Sequence, residues 1–251
     1  MAHIEGGEWS LGALDQQVRD ALTQMSLVHL APTEAAAVRL RAIGADPDAI
    51  VVTGAPSLDH LKWSTLPPLE TVETQIGLSL RQSPVVVSMH PTTMRACSTD
   101  ELPPLMTALH DVTAPIVFCF PNADAGYERI VDSATSFCYG RENAVIITHL
   151  DHLSYWTLLK NAAVLVGNSS SGIMEAPSLG LPVVNVGERQ KGRTRSPNII
   201  DVKADASSIA SAIAVAMSDD FIQVAAQTIS PYGDGDAGTR IADAIAAWSP
   251  S

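Results

Sequence analysis

Several things are scarce in this chain, and each shortage closes a class of answer. Only 5% of its 251 residues are aromatic and 17% are charged, while 46% are apolar. No apolar run comes near the roughly 18 residues of a membrane span, so no membrane partner is expected. Cysteine is limited to three residues, Cys97, Cys119 and Cys138, without CxxC spacing. That usage suits reduced, partly buried thiols in a cytoplasmic protein rather than a disulfide framework. His149 and His152 have helix-neighbour spacing, but no cysteine or nearby third ligand joins them. A metal needs at least three convergent protein ligands, so none is expected here. The opening Met1-Ala2-His3-Ile4-Glu5 turns polar at once and predicts no secretory leader. Positive charge is also short. Fifteen Lys and Arg stand against 27 Asp and Glu, for a net charge of −12. With no basic stripe and no basic-aromatic interleaving, a nucleic-acid partner is excluded as a general role.

What is present is a rhythm. From about residue 80, short Val/Ile-rich runs alternate with helix-like segments. The expected strands are 84–88, 115–119, 144–147, 163–166 and 182–186, with a short one near 198–201. Expected helices run from about Thr99 to His110, Ala125 to Cys138 and His152 to Asn161. Continuous apolar strands separated by helices predict an α/β fold with a parallel sheet covered on both faces. In such a sheet, functional loops gather at the carboxyl ends of the strands. Polar candidates fall there in succession: His90, then Asn122 and Asp124, then His149, then Ser169 and Ser170, then Arg189.

The first 65 residues differ. Helical patterns near Leu14–Met25 and Thr33–Ile43 flank a short strand at 27–30, with another at 50–54. That is too little for a complete α/β layer. The stretch from Trp63 to Pro68 reads as a hinge or linker. The expected division is one part over 1–65, a complete α/β subdomain over 66–235, and a last helix over 236–251 packing back across both.

The densest signal is Gly167-Asn168-Ser169-Ser170-Ser171-Gly172, followed by Ile173-Met174-Glu175 and later by Arg189-Gln190-Lys191-Gly192-Arg193. Small residues at a strand-to-helix turn leave backbone N–H groups open to an anion. Arg189, Lys191, Arg193 and Arg195 gather four of the chain's fifteen cations into one loop that can close on it. A solvated charged loop and a plain Ser-capped helix are the alternatives from these residues alone. Asn122 and Asp124 have an ordinary Asx turn as theirs, and Asp15 with Arg19 a surface ion pair at helical spacing.

Together these segments resemble the UDP-N-acetylglucosamine 2-epimerase family, specifically its hydrolysing branch. The likeness runs through His3 to Glu8, Asp15 to Arg19, Thr53 to Asp59, His90 to Thr93, Pro121 to Gly126, the Gly/Ser turn with Glu175, Arg189 to Arg193, and Tyr232 to Gly235. The non-hydrolysing branch typically has Asp-Ser-Gly-Gly where this chain has Asn168-Ser169-Ser170-Ser171. It has a Thr-Glu-Arg-Pro-Glu loop where this chain has Arg189-Gln190-Lys191-Gly192-Arg193. The resemblance implies a GT-B-like fold, with two Rossmann-type subdomains and the active site between them. Members of the family carry most of a first subdomain before the segment that matches His3, so only its end is expected here.

The chemistry implied is loss of UDP from C1 with proton removal at C2, then addition of water to release N-acetylmannosamine for sialic-acid-type synthesis. It needs no redox cofactor and no metal. The resemblance points to Glu8 and Asp15 as proton handlers, with Glu5 less closely matched, Arg19 orienting them and His90 in the cleft. It places Ser169 and Ser170 on the diphosphate, Glu175 on the ribose hydroxyls, Arg189 supported by Arg193 on phosphate or ribose, and His149 and Leu150 at the uracil. Asn122 and Asp124 are expected to scaffold the nucleotide site. Alternatives are the same chemistry on a diacetamido sugar nucleotide, a non-hydrolysing epimerase, and an inactive UDP-binding fragment. Oligomeric state is not readable from these residues, though members of the family commonly associate.

Overall fold

A computed structural model of the chain describes residues 1–9, 15–92, 99–120 and 127–248. Two parallel sheets form. The smaller comes first in the chain and is built from β1 (Ala2–Ile4), α1 (Asp15–Met25), β2 (Val28–Ala31), α2 (Glu34–Ala42) and β3 (Ile50–Val52), with strand order β1-β2-β3. Two helices follow, α3 (Ser57–Trp63) and α4 (Leu69–Ile76). The larger sheet comprises β4 (Val85–Ser88), α5 (Leu102–Leu109), β5 (Ile116–Cys119), α6 (Tyr127–Cys138), β6 (Ala144–Ile147), α7 (His152–Lys160), β7 (Val164–Gly167), α8 (Ser171–Met174), β8 (Val183–Val186) and β9 (Ile199–Val202). The chain ends with α9 (Ala206–Ala216), α10 (Asp219–Ala226) and α11 (Ala237–Ala247).

The larger sheet has the order β6-β5-β4-β7-β8-β9, with every pairing parallel. That order reverses between β4 and β7, and the carboxyl ends of those two strands form the crevice where such sheets take ligands. Alternation along each strand fills two cores. Val85, Val87, Ile116, Phe118, Val164 and Val166 face α5, α6 and α9 through Leu105, Ile130 and Ile209. Val86, Val117, Leu165 and Val183 face α4 and α7 through Val72, Ile76, Leu158 and Leu159. A side chain buried as fully as Leu105 or Leu158 contributes about 1.5–3 kcal/mol relative to exposure.

The smaller sheet is covered on one face by α2, with Leu40 against Ala31 and Val52. On the other lies α11, with Ala237 and Ile241 against Val28 and Leu30. Asp59 of α3 accepts hydrogen bonds from the Ala237 and Gly238 backbone N–H groups at 2.8 and 2.5 Å, capping α11 from another helix. Pro67 ties the link between α3 and α4 to the larger sheet, since its carbonyl accepts from Thr157 Oγ1 at 2.9 Å.

The strands and helices from 84 to 201 fall within a few residues of expectation. One expected helix is shorter. The run after the Gly/Ser turn is a single α turn, Ser171–Met174, that passes into a 3-10 turn at Ala176–Leu179. Pro177 has no N–H to continue the α ladder, and Gly180 closes the turn at φ +63°. Helix α5 starts at Leu102 rather than Thr99, with Pro103 and Pro104 in its first turn. Elements β1, α3, α4, α9 and α10 had no clear local signal. Strand β1 has three residues, and α9 is so rich in alanine and serine that its amphipathic period is faint.

Candidate active site at the strand ends

The crevice between β4 and β7 is held by one side chain. Asn168, fully buried just after β7, accepts from the His90 backbone N–H at 2.7 Å and donates to the His90 carbonyl at 2.9 Å. The Asn168 backbone carbonyl accepts from Arg189 Nη1 at 3.1 Å and from Gln190 Nε2 at 2.8 Å. One residue therefore fastens the ends of β4 and β7 to the basic loop after β8. Gly167 makes this approach possible. At φ +140° its Cα packs on the Ser88 carbonyl, which a β-carbon would overlap.

Beyond Asn168, the Ser169 and Ser170 backbone N–H groups meet no acceptor among the described residues. Ser169 Oγ accepts from the Ser171 N–H and lies 3.3 Å from Ser171 Oγ, so its hydroxyl is used locally. Ser170 occupies the N-cap position of α8, but its hydroxyl makes no cap bond. The plain Ser-capped-helix reading therefore does not describe Ser170.

Next to the turn lies a cavity of about 260 Å³ walled by Phe120, Leu150, His152, Tyr155, Trp156 and Glu175. His152 sits edge-on to Trp156, with ring centroids 5.4 Å apart, and to His60 of α3 at 5.2 Å. Its role is therefore in an aromatic wall. Leu150 lines this cavity, whereas His149 is exposed and is not among its lining residues. Glu175 Oε2 is buried without a hydrogen-bond partner among the described residues. Burial pushes the Glu175 carboxyl above its ordinary value, against the pull of its backbone, Ser57 and the Arg193 cation. A buried carboxyl oxygen of this kind is open to a hydrogen-bonding group from outside the described side chains. Cys119 is fully buried and its thiol is pushed up to about 12, so it behaves as a small apolar wall residue.

The facing wall comes from the segment after β1. Glu5 adopts φ +58°, a left-handed conformation uncommon for a non-glycine residue. Its carbonyl accepts from Arg19 Nη1 at 3.2 Å. Arg19 thus fixes the turn's backbone. Glu8 is 4% exposed. Its Oε1 accepts from the Trp9 N–H at 3.1 Å, and its Oε2 has no partner among the described residues. Burial raises its pKa, countered chiefly by the Arg193 cation. Arg193 therefore acts electrostatically on Glu8 from one sheet and on Glu175 from the other.

Trp9 closes the contact. Arg39 stacks its guanidinium 4.4 Å from the Trp9 ring and donates to the Glu8 carbonyl at 3.0 Å. Gly192, at φ +94°, lies so close that a β-carbon there would come within 2.9 Å of Trp9 Cβ. Tyr232, fully buried, donates to the Thr194 carbonyl at 3.3 Å and is pushed up by burial and by Glu8 beside it. The side chain of Asp15, and Asn122, Asp124 and Cys97, lie outside the described residues. Among the described residues no three His, Cys, Asp or Glu side chains converge as a metal set requires. Also among them, no single helix is long and apolar enough to cross a membrane.

The structure thus gathers Glu5, Glu8, Arg19, Glu175 and Arg193 into one charged neighbourhood, with His90, Ser169, Ser170 and Arg189 at the adjoining strand ends. Sequence reasoning passed over Gln190, Tyr155, Tyr232 and Trp9 as site residues. Gln190 and Tyr232 lie within quoted segments, but their partners, Asn168 and Thr194, are distant in the chain, which local pattern cannot reveal.

Comparison with known proteins agrees with this architecture. A UDP-N-acetylglucosamine 2-epimerase of Neisseria meningitidis serogroup B is 34% identical over 219 residues, covering 87% of this chain and 57% of the relative. A UDP-N,N'-diacetylbacillosamine 2-epimerase (hydrolyzing) of Legionella pneumophila is 31% identical over 241 residues, covering 96% and 62%. The chain therefore spans about three fifths of the length of these relatives. A crystal structure of a Neisseria meningitidis UDP-GlcNAc 2-epimerase bound to UDP-GlcNAc superposes with a TM-score of 0.79 at 19% identity, over 98% of this chain and 69% of that one. The fold is accordingly GT-B-like, with one complete parallel Rossmann-type sheet and part of a second. The family model described as UDP-N-acetylglucosamine 2-epimerase matches residues 1–246, and the chain belongs to that family.

Proposed function

We propose that this chain serves a hydrolysing 2-epimerase reaction, converting UDP-GlcNAc and water to N-acetylmannosamine and UDP. The observation that carries the reading is the meeting of two buried carboxyls, Glu8 and Glu175, around Arg193 beside an open Gly/Ser turn. Ser169 and Ser170 present their N–H groups to the diphosphate, with Arg189 and Arg193 behind them. Glu175 accepts the ribose hydroxyls, and Leu150 and Trp156 wall the base.

In the first step a base takes the C2 proton while the C1–O bond breaks, UDP departs and a C1–C2 double bond remains. In the second, water adds its hydroxyl to C1 and a proton returns to C2 on the other face. A carboxyl with a raised pKa suits both directions of transfer, and Glu8 is so placed. Asp15 is the second proton handler, His90 steadies the leaving phosphate, and Glu5 shapes the wall.

The Legionella relative supports a second reading, the same reaction on a 2,4-diacetamido sugar nucleotide. The test is 31P and 1H NMR of the purified chain with UDP-GlcNAc. Free UDP with N-acetylmannosamine supports the proposal. UDP-N-acetylmannosamine as product assigns the non-hydrolysing reaction. Bound UDP without turnover marks the chain as a nucleotide-holding part of an enzyme, and turnover of the diacetamido substrate alone supports the second reading.

A further inference from the structure

Behind the candidate site sits a buried carboxylate that no motif marks. Glu101 stands at the start of α5, where an acidic side chain ordinarily complements the helix terminus. It makes no cap bond there. The residue is 4% exposed and turns to the sheet instead. Its Oε2 accepts from Asn168 Nδ2 at 3.1 Å and from Thr92 Oγ1 at 3.5 Å. Its Oε1 lies against Gly187 after β8, where a β-carbon would overlap it. One carboxylate thus touches the segments that follow β4, β7 and β8.

The consequence runs through Asn168. Its amide has one acceptor and two donors to place. The oxygen takes the His90 N–H, one amide hydrogen goes to the His90 carbonyl, and the nitrogen also reaches Glu101. An acceptor on that side decides which way the amide faces, because a flipped amide would set its oxygen against the carboxylate and lose the His90 N–H. The same residue's carbonyl anchors Arg189 and Gln190. We propose that Glu101 is a positioning residue, the hydrogen-bond acceptor that orients Asn168 and through it sets His90 and the Arg189–Gln190 loop for the nucleotide. This rests on the reading of these strand ends as the UDP site. The acceptor is what the site uses, since a negative charge near a diphosphate opposes binding.

The test is calorimetric titration of UDP into the wild-type chain and its Glu101→Gln, Glu101→Ala and Glu101→Met forms. The 15N–1H signals of the His90 amide and the Asn168 side chain are followed without nucleotide. Glu101→Ala and Glu101→Met should weaken UDP binding by about tenfold, as leaving the buried Asn168 amide short of an acceptor does, and should move both signals. Glu101→Gln keeps an acceptor and should restore both to near wild type. Glu101→Met fills the space, so it carries the comparison where Glu101→Ala does not fold. The proposal is overturned if a folded Glu101→Ala or Glu101→Met form keeps wild-type affinity and an unmoved His90 signal, or if Glu101→Gln loses as much as they do. A wild-type chain that does not bind UDP sinks the nucleotide reading, while the His90 and Asn168 signals still decide the role of Glu101.

Discussion

The two sheets differ in how completely their sequence is used. In the larger sheet, β4, β5, β7 and β8 are buried at every position, and helices lie on both faces. In the smaller, only β2 is buried throughout, while β1 and β3 show exposed positions. Helix α1 carries Val18, Leu22 and Met25 at helical spacing, yet all three are exposed, as is Ile4 of β1. The larger sheet is a self-sufficient scaffold on which backbone N–H groups and cations can be held still. The smaller contributes two carboxylates, Glu5 and Glu8, on a turn steadied by Arg19, Arg39 and Trp9. Under the proposed function the difference is a division of labour, with the larger layer holding the nucleotide and the lighter layer bringing the acid and base.

Chemistry offers the largest break in that comparison. Glu175→Ala should lower UDP affinity by about tenfold or more if, as proposed, its carboxyl is the hydrogen-bond partner of the ribose hydroxyls. Glu8→Ala should leave UDP affinity within a few fold while cutting turnover of UDP-GlcNAc by about 100-fold or more, the usual worth of a positioned proton-transfer group, whereas His90→Ala, which removes the proposed contact to the leaving phosphate, should lower both UDP affinity and turnover. Titration of UDP beside NMR turnover assays separates the two. Unchanged rates in the His90 and Glu175 variants together would sink the site assignment.

Stability gives a smaller break. Leu105→Ala and Leu22→Ala are the same substitution in the two regions. Leu105 is fully buried under the larger sheet, whereas Leu22 is 39% exposed on α1. The first should cost about 2–5 kcal/mol by cavity formation, and the second should stay within about 0.5 kcal/mol. Urea denaturation measures both. A Leu22→Ala cost approaching that of Leu105→Ala would mean that α1 is covered in solution, and the contrast between the sheets would fall.

How much of this was written locally follows the same divide. Val85-Val86-Val87, Ile116-Val117-Phe118 and their partners announce a doubly covered parallel sheet because both faces are apolar. Their ends announce the crevice. The strand β1 is three residues long and had no such signal. Glu175 was legible as a position, but the charges around it, Arg193 from the loop after β8 and Glu5 from the turn after β1, are set by the fold. The clasp of Trp9 over Gly192 joins residues about three quarters of the chain apart. Glu101 carries no local signal of its place, because only the strand order brings Asn168 and Gly187 to it. Periodicity reports which face of an element is buried and says nothing about which distant polar atom waits there.

The finest distinction between the sheets is electrostatic. Burial raises the pKa of Glu8 above its ordinary value, and the Arg193 and Arg19 cations only partly offset it. Below the ordinary carboxyl value the folded and unfolded chains both hold this proton. As pH rises from there toward the raised folded value, the unfolded chain has released the proton and the folded chain still holds it. Stability from this group is therefore present at the acid end and lost as pH rises through the folded pKa. Glu8→Gln, which cannot ionise, should remove that loss. Its Tm should match or trail wild type near pH 4 and exceed it near pH 8, by about 2–4 °C for each kcal/mol recovered in a domain of this size. Parallel curves for Glu8→Gln and wild type would show that Glu8 is ionised at no cost. The lighter wall would then hold a settled anion rather than a proton handler, and the base at C2 would have to be sought in another residue.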